Sequence, residues 1–135
     1  MMFDLSISWL AVFIATLSSG FVGWFWYNPK VFGTAWADSQ GFQLESLKMH
    51  PLDLAKEMGS SLITAIVLAM FYDWSGSQGL WDGLVIGFWA GLGFVATSQF
   101  SAVIWAKLPL KTYLINAGAA IVTLMVMGAI IGLIT

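Results

Sequence analysis

Four long apolar stretches alternate with polar connections along the chain. They cover residues of about 5–27, 51–73, 80–106 and 112–134. A transmembrane helix needs about 20 apolar residues to cross roughly 30 Å of hydrocarbon, and each stretch is long enough. The pattern therefore predicts a single all-α domain, residues 1–135, built as an integral membrane bundle of four transmembrane helices.

The longest connection, residues 28–50, begins where one helix must end and another can start. Pro29 cannot continue a helix, and Asn28 is a favourable N-cap for a new helix that begins at Pro29. Aromatic residues flank this start on both sides: Trp26, Tyr27, Phe32 and Trp36. Aromatic side chains concentrate at membrane interfaces, so we predict a helical segment that lies on the membrane surface between the first two spans.

Gly33 falls inside this predicted helix, where a glycine costs about 1 kcal/mol relative to alanine. A helix that only lies on the membrane does not explain that cost. We therefore predict that Gly33 is a point of close backbone approach, where the connection packs under the bundle near residues 107–111.

The composition supports a membrane protein and excludes several kinds of site. Hydrophobic residues make up 59% of the chain and charged residues only 9%. The chain has no cysteine and one histidine, so it offers no thiolate chemistry and no histidine cluster for a metal. A net charge of -2 gives no reason to expect a nucleic-acid partner. We predict no cofactor, and the lipid bilayer as the one certain partner.

The lysines predict the orientation. All five fall on the side of the first and third connections: Lys30, Lys48, Lys56, Lys107 and Lys111. Positive charge is enriched in cytoplasmic connections of membrane proteins. We therefore expect residues 28–50 and 107–111 to be cytoplasmic and both termini to lie outside.

Glycine recurs every four residues in the third span, at Gly79, Gly83, Gly87 and Gly91. Residues four apart share a helix face, and a face without side chains lets another backbone approach closely. Shorter stripes of small residues occur in the other spans: Ala15, Ser19 and Gly23; Ser61, Ala65 and Ala69; Gly128 and Gly132. Two interpretations stay open for the third span: close packing inside one bundle, or a homo-oligomer formed through the glycine stripe.

Polar side chains gather in the half of the predicted bundle nearest the lysines. The second span supplies Glu57, Ser61 and Thr64 on one face, the third Thr97, Ser98, Gln99 and Ser101, and the fourth Asn116. An ionisable group inside a bilayer is costly and is by default a functional candidate. The candidate polar cluster is therefore Glu57, Ser61, Thr64, Gln99 and Asn116. The alternative is that these groups form ordinary interhelical hydrogen bonds and that Glu57 lies at the interface.

Three segments together resemble a known family. They are Trp26-Tyr27-Asn28-Pro29-Lys30-Val31-Phe32-Gly33-Thr34-Ala35-Trp36, Phe88-Trp89-Ala90-Gly91-Leu92-Gly93-Phe94 and Leu114-Ile115-Asn116-Ala117-Gly118. The first fits the pattern W-Y-x-P-x-x-F-G-x-x-W, and the chain resembles the small bacterial membrane proteins called domain of unknown function 1761. The resemblance covers nearly the whole chain. It implies four spans and a location in a bacterial inner membrane, and it implies no activity.

The sequence leaves more than one function open. The favoured interpretation is a non-catalytic protein that acts by assembly, as a homo-oligomer or as an accessory subunit of an unknown protein, and the glycine stripe motivates it. The alternative is a transporter or channel for a small solute or ion, motivated by the polar cluster. An enzyme is least supported, because the sequence shows no Ser/His/Asp set, no paired histidines and no phosphate-binding glycine loop.

Overall fold

The computed structural model of the protein describes residues 7–41, 43 and 50–135. The helices are α1 (Trp9–Trp26), α2 (Gly33–Gln40), α3 (Pro51–Trp74), α4 (Gly79–Ala90), α5 (Thr97–Trp105) and α6 (Leu110–Ile134). A π-helical segment, Gly91–Ala96, joins α4 to α5 in one continuous helix. Four helices, α1, α3, α4–α5 and α6, are long and apolar enough to span a membrane. No strand occurs in the described ranges, and the predicted all-α fold with four spans is confirmed.

Two sequence predictions fall partly outside the described residues. One is the start of the first span, at residues 5–6. The other is the second part of the interfacial connection, at residues 42 and 44–49.

Local chemistry explains where the spans begin. The Ser8 hydroxyl accepts a hydrogen bond from the Ala11 amide at 3.2 Å and so caps the start of α1. His50 is extended, which the following proline favours, and Pro51 takes the first helical position of α3. At the start of α4, the Asp82 carboxylate accepts from the Gln78 amide at 2.9 Å.

The short helix α2 begins at Gly33, not at Pro29 as predicted. The Asn28 carbonyl accepts hydrogen bonds from the amides of Val31 and Gly33, both at 2.9 Å. The Asn28 side chain accepts from the Lys30 amide at 3.0 Å. These bonds close a compact turn between α1 and α2, so Asn28 caps a turn instead of a helix and Gly33 is the first residue of α2.

The glycine stripe of the third span packs against α6 of the same chain. A side chain at Gly83 would overlap the carbonyl of Gly128, and one at Gly87 would overlap the carbonyl of Leu124. Gly132 meets the Gly79 carbonyl in the same way. The two helices therefore run antiparallel with their backbones in contact. The contacts support the first of the two interpretations, close packing inside one bundle, and α6 covers the stripe at Gly83 and Gly87. A homo-oligomer stays a prediction that the stripe no longer motivates.

The bundle has a dry half and a polar half. The buried apolar cluster takes residues from the first part of α1, the last parts of α3 and α6 and the end of α4: Ala11, Val12, Ala15, Ala65, Leu68, Ala69, Tyr72, Ala90, Leu124, Met127 and Ile131. We call this cluster the dry core. At the opposite end of the bundle, α1 ends and α3 and α6 begin. We call that end the lysine side, because Lys30, Lys56, Lys107 and Lys111 all lie there.

Candidate functional site

The end of α1 is bonded directly to the start of α6. The Trp26 indole donates a hydrogen bond from Nε1 to the Ile115 carbonyl at 2.9 Å. The Tyr27 hydroxyl donates to Asn116 Oδ1 at 2.7 Å. Gly118 leaves room for the indole, since a Cβ there would come within 2.9 Å of Trp26 Cζ2. Two of the three segments that carry the family resemblance therefore fit into each other.

The turn after α1 stacks its rings on the same pair. Phe32 lies against Trp26 with ring centroids 4.6 Å apart, and Trp36 meets Tyr27 edge-on at 5.5 Å. The rings of this motif were predicted to anchor the chain in the interface. The structure instead turns Trp26 and Tyr27 inward to bond with α6. Of the other rings that close α1, Trp24 and Phe25 face outward, at 66% and 53% exposure.

Gly33 is a point of close backbone approach, but its partner differs from the one predicted. A side chain there would overlap the Tyr27 carbonyl and lie 2.9 Å from the carbonyl carbon of Asn28. The contact is thus within the turn and not with residues 107–111. It holds the Tyr27 backbone in place beneath α2, and α2 itself docks on α6 through the Ser39 and Thr112 hydroxyls, 2.5 Å apart. We call residues 26–40 the collar.

A cavity of about 650 Å³ lies between the four spans, on the lysine side of the dry core. Its lining on α6 runs from Tyr113 to Met127, which corresponds to about 20 Å at 1.5 Å per residue. Helix α3 contacts α1, α4 and α6 but does not pack along α5, so the cavity is open between α3 and α5. The cavity is therefore a cleft within the polar half of the bundle.

All five residues of the predicted polar cluster line this one cavity: Glu57, Ser61, Thr64, Gln99 and Asn116. Asn116 Oδ1 is already bonded to Tyr27. Gln99 Oε1 is buried and has no hydrogen-bond partner in the described part of the chain. The Glu57 carboxylate makes neither a hydrogen bond nor an ion pair with any described residue. The cavity lining thus holds two acceptors that no described residue pairs, the exposed Glu57 carboxylate and the buried Gln99 Oε1.

Helical periodicity alone would turn Gln99 away from this cavity. Starting at Gly87, which faces α6, steps of about 3.6 residues lead to positions 91, 94, 98 and 101. In the structure the residues that face inward each come one position later in the sequence. Val95, Gln99 and Ala102 line the cavity, whereas Phe94, Ser98 and Ser101 are exposed. The π segment causes this change, because its bonding from residue i to i+5 adds one residue to the turn. Thr97, Ser98 and Ser101, which the sequence grouped with Gln99, therefore do not join the site.

The sequence reading left other lining residues out. Ser19 and Thr123 lie among apolar neighbours in the sequence, and Tyr27 was assigned to the membrane interface. Tyr113 also lines the cavity. Tyr27 follows the end of the first span, and Asn116 lies near the start of the fourth. Both positions are near the lysine side, so the sequence could have predicted that these two residues lie at the same depth in the bundle.

Tyr27 immediately follows the first span, and its phenol stays protonated. Burial, and after it the negative charge of Glu57, raise the pKa of Tyr27 to about 12. At neutral pH the hydroxyl is therefore a hydrogen-bond donor, as its bond to Asn116 requires. No described residues form a group of three His, Cys, Asp or Glu side chains that could hold a metal ion.

The bond between Tyr27 and Asn116 gives a testable prediction. Tyr27→Phe is expected to lower the free energy of unfolding by about 1 kcal/mol, because interhelical hydrogen bonds in membranes contribute about 0.6 to 2 kcal/mol. The measurement is reversible unfolding in mixed micelles of a mild detergent and dodecyl sulfate. Asn116→Ala and the double variant complete a cycle, and strictly additive losses would show that the two side chains do not interact.

These features define a class of protein: a bundle of four helices able to span a membrane, with a polar cavity in one half and a dry core in the other. The chain matches the family described as Protein of unknown function (DUF1761) over residues 10–132. It therefore belongs to that family, and the resemblance noted in the sequence is confirmed. No curated protein and no solved structure matches the chain.

Proposed function

We propose that the protein transports a small polar solute across the membrane and binds it in the cavity lined by Glu57, Gln99 and Asn116. The observation that supports this most is the convergence of all four spans on one cleft with unpaired polar groups. A volume of about 650 Å³ falls within the range of about 300 to 1,000 Å³ that is usual for small-molecule sites.

The free acceptors favour a binding role over a structural one. A buried polar atom without a partner destabilises a fold by about 1 to 3 kcal/mol, so most such atoms are paired. Gln99 Oε1 is an exception, and the π segment is what turns it inward. A solute that donates a hydrogen bond to Gln99 Oε1 would explain why this oxygen is left unpaired at the cavity wall.

The dry core separates the cleft, which is open between α3 and α5, from the far end of the bundle. Ala15, Leu68 and Met127 close the bundle beyond the polar residues, and their side chains are almost fully buried. A solute in the cleft would reach the other side only after these helices move apart. This favours a carrier that alternates between two states over an open channel.

Orientation and assembly are part of the proposal. By the positive-inside rule we place the lysine side in the cytoplasm of a bacterial inner membrane and both termini outside. Assembly as a homo-oligomer or accessory subunit was favoured on the glycine stripe, which α6 covers. With that support removed, we favour transport.

The proposal predicts that filling the cavity stops transport. Thr64→Phe adds a ring to a cavity-lining position of α3, whereas Ile63→Phe, the adjacent control, lies on the outer face with 64% exposure. Uptake into proteoliposomes would be measured for a panel of small amines, amides, carboxylates and polyols. We expect saturable uptake of at least one class, reduced at least about tenfold by Thr64→Phe and retained by Ile63→Phe, because the ring excludes the solute. No saturable uptake of any class, or equal uptake by both variants, would contradict the proposal.

A further inference from the structure

We infer that the solute is an organic cation with N–H donors, such as an amine or an amidine. This inference rests on the proposed function and adds the chemical class of the solute. It is carried by two side chains that line the cavity, Glu57 and Gln99. No described residue pairs with the Glu57 carboxylate or with Gln99 Oε1, which is buried in the cavity wall.

Both free groups accept hydrogen bonds. An ionised carboxylate only accepts, and the amide oxygen of a glutamine accepts through two lone pairs. Asn116 Oδ1 already accepts a hydrogen bond from Tyr27 and is therefore not among the unpaired acceptors. A solute that satisfies Glu57 and Gln99 together must therefore bring donors, and a charged N–H group makes the stronger, shorter bond to a carboxylate.

The charge of the lining selects a cation over a neutral donor. Glu57 is the one charged residue among those that line the cavity, while Lys56, Lys107 and Lys111 are exposed and do not line it. The Glu57 side chain is itself exposed, so a solute that enters the cavity can reach its carboxylate, which would attract a positively charged partner. The protein provides no such partner among its described residues, so the solute would provide it.

Three ligands of matched shape test this. Benzamidine is a cation at neutral pH, benzamide is its neutral analogue and benzoate its anionic one. Binding to the full chain in lipid nanodiscs would be measured by isothermal titration. We expect benzamidine to bind at least about tenfold more tightly than the other two, which is the effect of one close charge pair at a partly solvated site.

Glu57→Gln is expected to remove the preference, so that benzamidine and benzamide bind with similar affinity. Asp53→Asn is the matched control, since Asp53 lies one turn earlier on α3, is exposed and does not line the cavity. That variant should keep the preference. A loss of preference in both variants would mean that surface charge, not Glu57, attracts the cation, and would overturn the inference.

Gln99→Leu separates binding from folding. It removes a buried atom without a partner, so the variant is expected to be at least as stable as the natural chain while binding benzamidine at least about tenfold more weakly. Unchanged binding by this variant would overturn the role of Gln99. Tighter binding of benzoate or benzamide would overturn the cationic class and leave the proposed function standing. Absence of binding by all three ligands would count against the proposed function itself.

Discussion

Replacing Gly87 with alanine is expected to destabilise the protein by about 3 kcal/mol, at the upper end of what overpacking costs. The new Cβ would overlap the Leu124 carbonyl and approach the Met125 Cα at 2.9 Å. These are backbone atoms, so no side chain can rotate away and α4 and α6 must move apart. Because Gly83 and Gly91 also face α6, such a movement weakens the contact along the whole stripe. Reversible unfolding in mixed micelles would measure the loss.

Gly93 supplies the matched control in the same span. A Cβ at Gly93 meets no heavy atom within 4 Å. Gly93→Ala is therefore expected to leave stability unchanged or to raise it by up to about 1 kcal/mol through helix propensity. Equal effects of the two variants would contradict the described contact between α4 and α6. A Gly87→Ala variant of normal stability that changed only the oligomeric state would restore the homo-oligomer interpretation.

The glycine stripe shows what spacing can and cannot predict. A repeat of four residues predicts that a helix backbone approaches Gly83 and Gly87 closely, and the structure has such a contact. Spacing does not say which helix approaches. That depends on Gly128 and Gly132, whose small size lets α6 match the third span in antiparallel register.

Five polar residues of the cavity lining were predictable from the sequence, but its other polar residues and its geometry were not. Glu57, Gln99 and Asn116 stood out because polar side chains are rare within apolar spans. Their convergence depends on the π segment, and the residues Gly91–Ala96 show no feature that a 3.6-residue period would reveal. The same limit applies to the collar, where local capping rules favoured a helix from Pro29. Hydrogen bonds within the turn and with α6 instead determine the structure of this segment.

Gly33→Ala is expected to be the most damaging small change in the collar, with a loss of about 2 to 3 kcal/mol. Its Cβ would overlap the Tyr27 carbonyl, and the backbone carbons of Tyr27 and Asn28 both lie 2.9 Å away. The turn cannot open without moving Tyr27, whose hydroxyl holds Asn116. Gly59→Ala is the control, since a Cβ there meets no heavy atom within 4 Å and its stability should be equal or higher.

The double variant Gly33→Ala/Tyr27→Phe tests whether the loss of stability in Gly33→Ala acts through Tyr27. If Gly33 acts by holding Tyr27 against α6, the Tyr27→Phe change should have little further effect once Gly33→Ala has displaced the ring. The combined loss would then be smaller than the sum of the single losses by about 0.5 to 1 kcal/mol. Additive losses would mean that the turn and the bond to Asn116 stabilise the bundle independently, and that the collar does not position Tyr27 at the cavity.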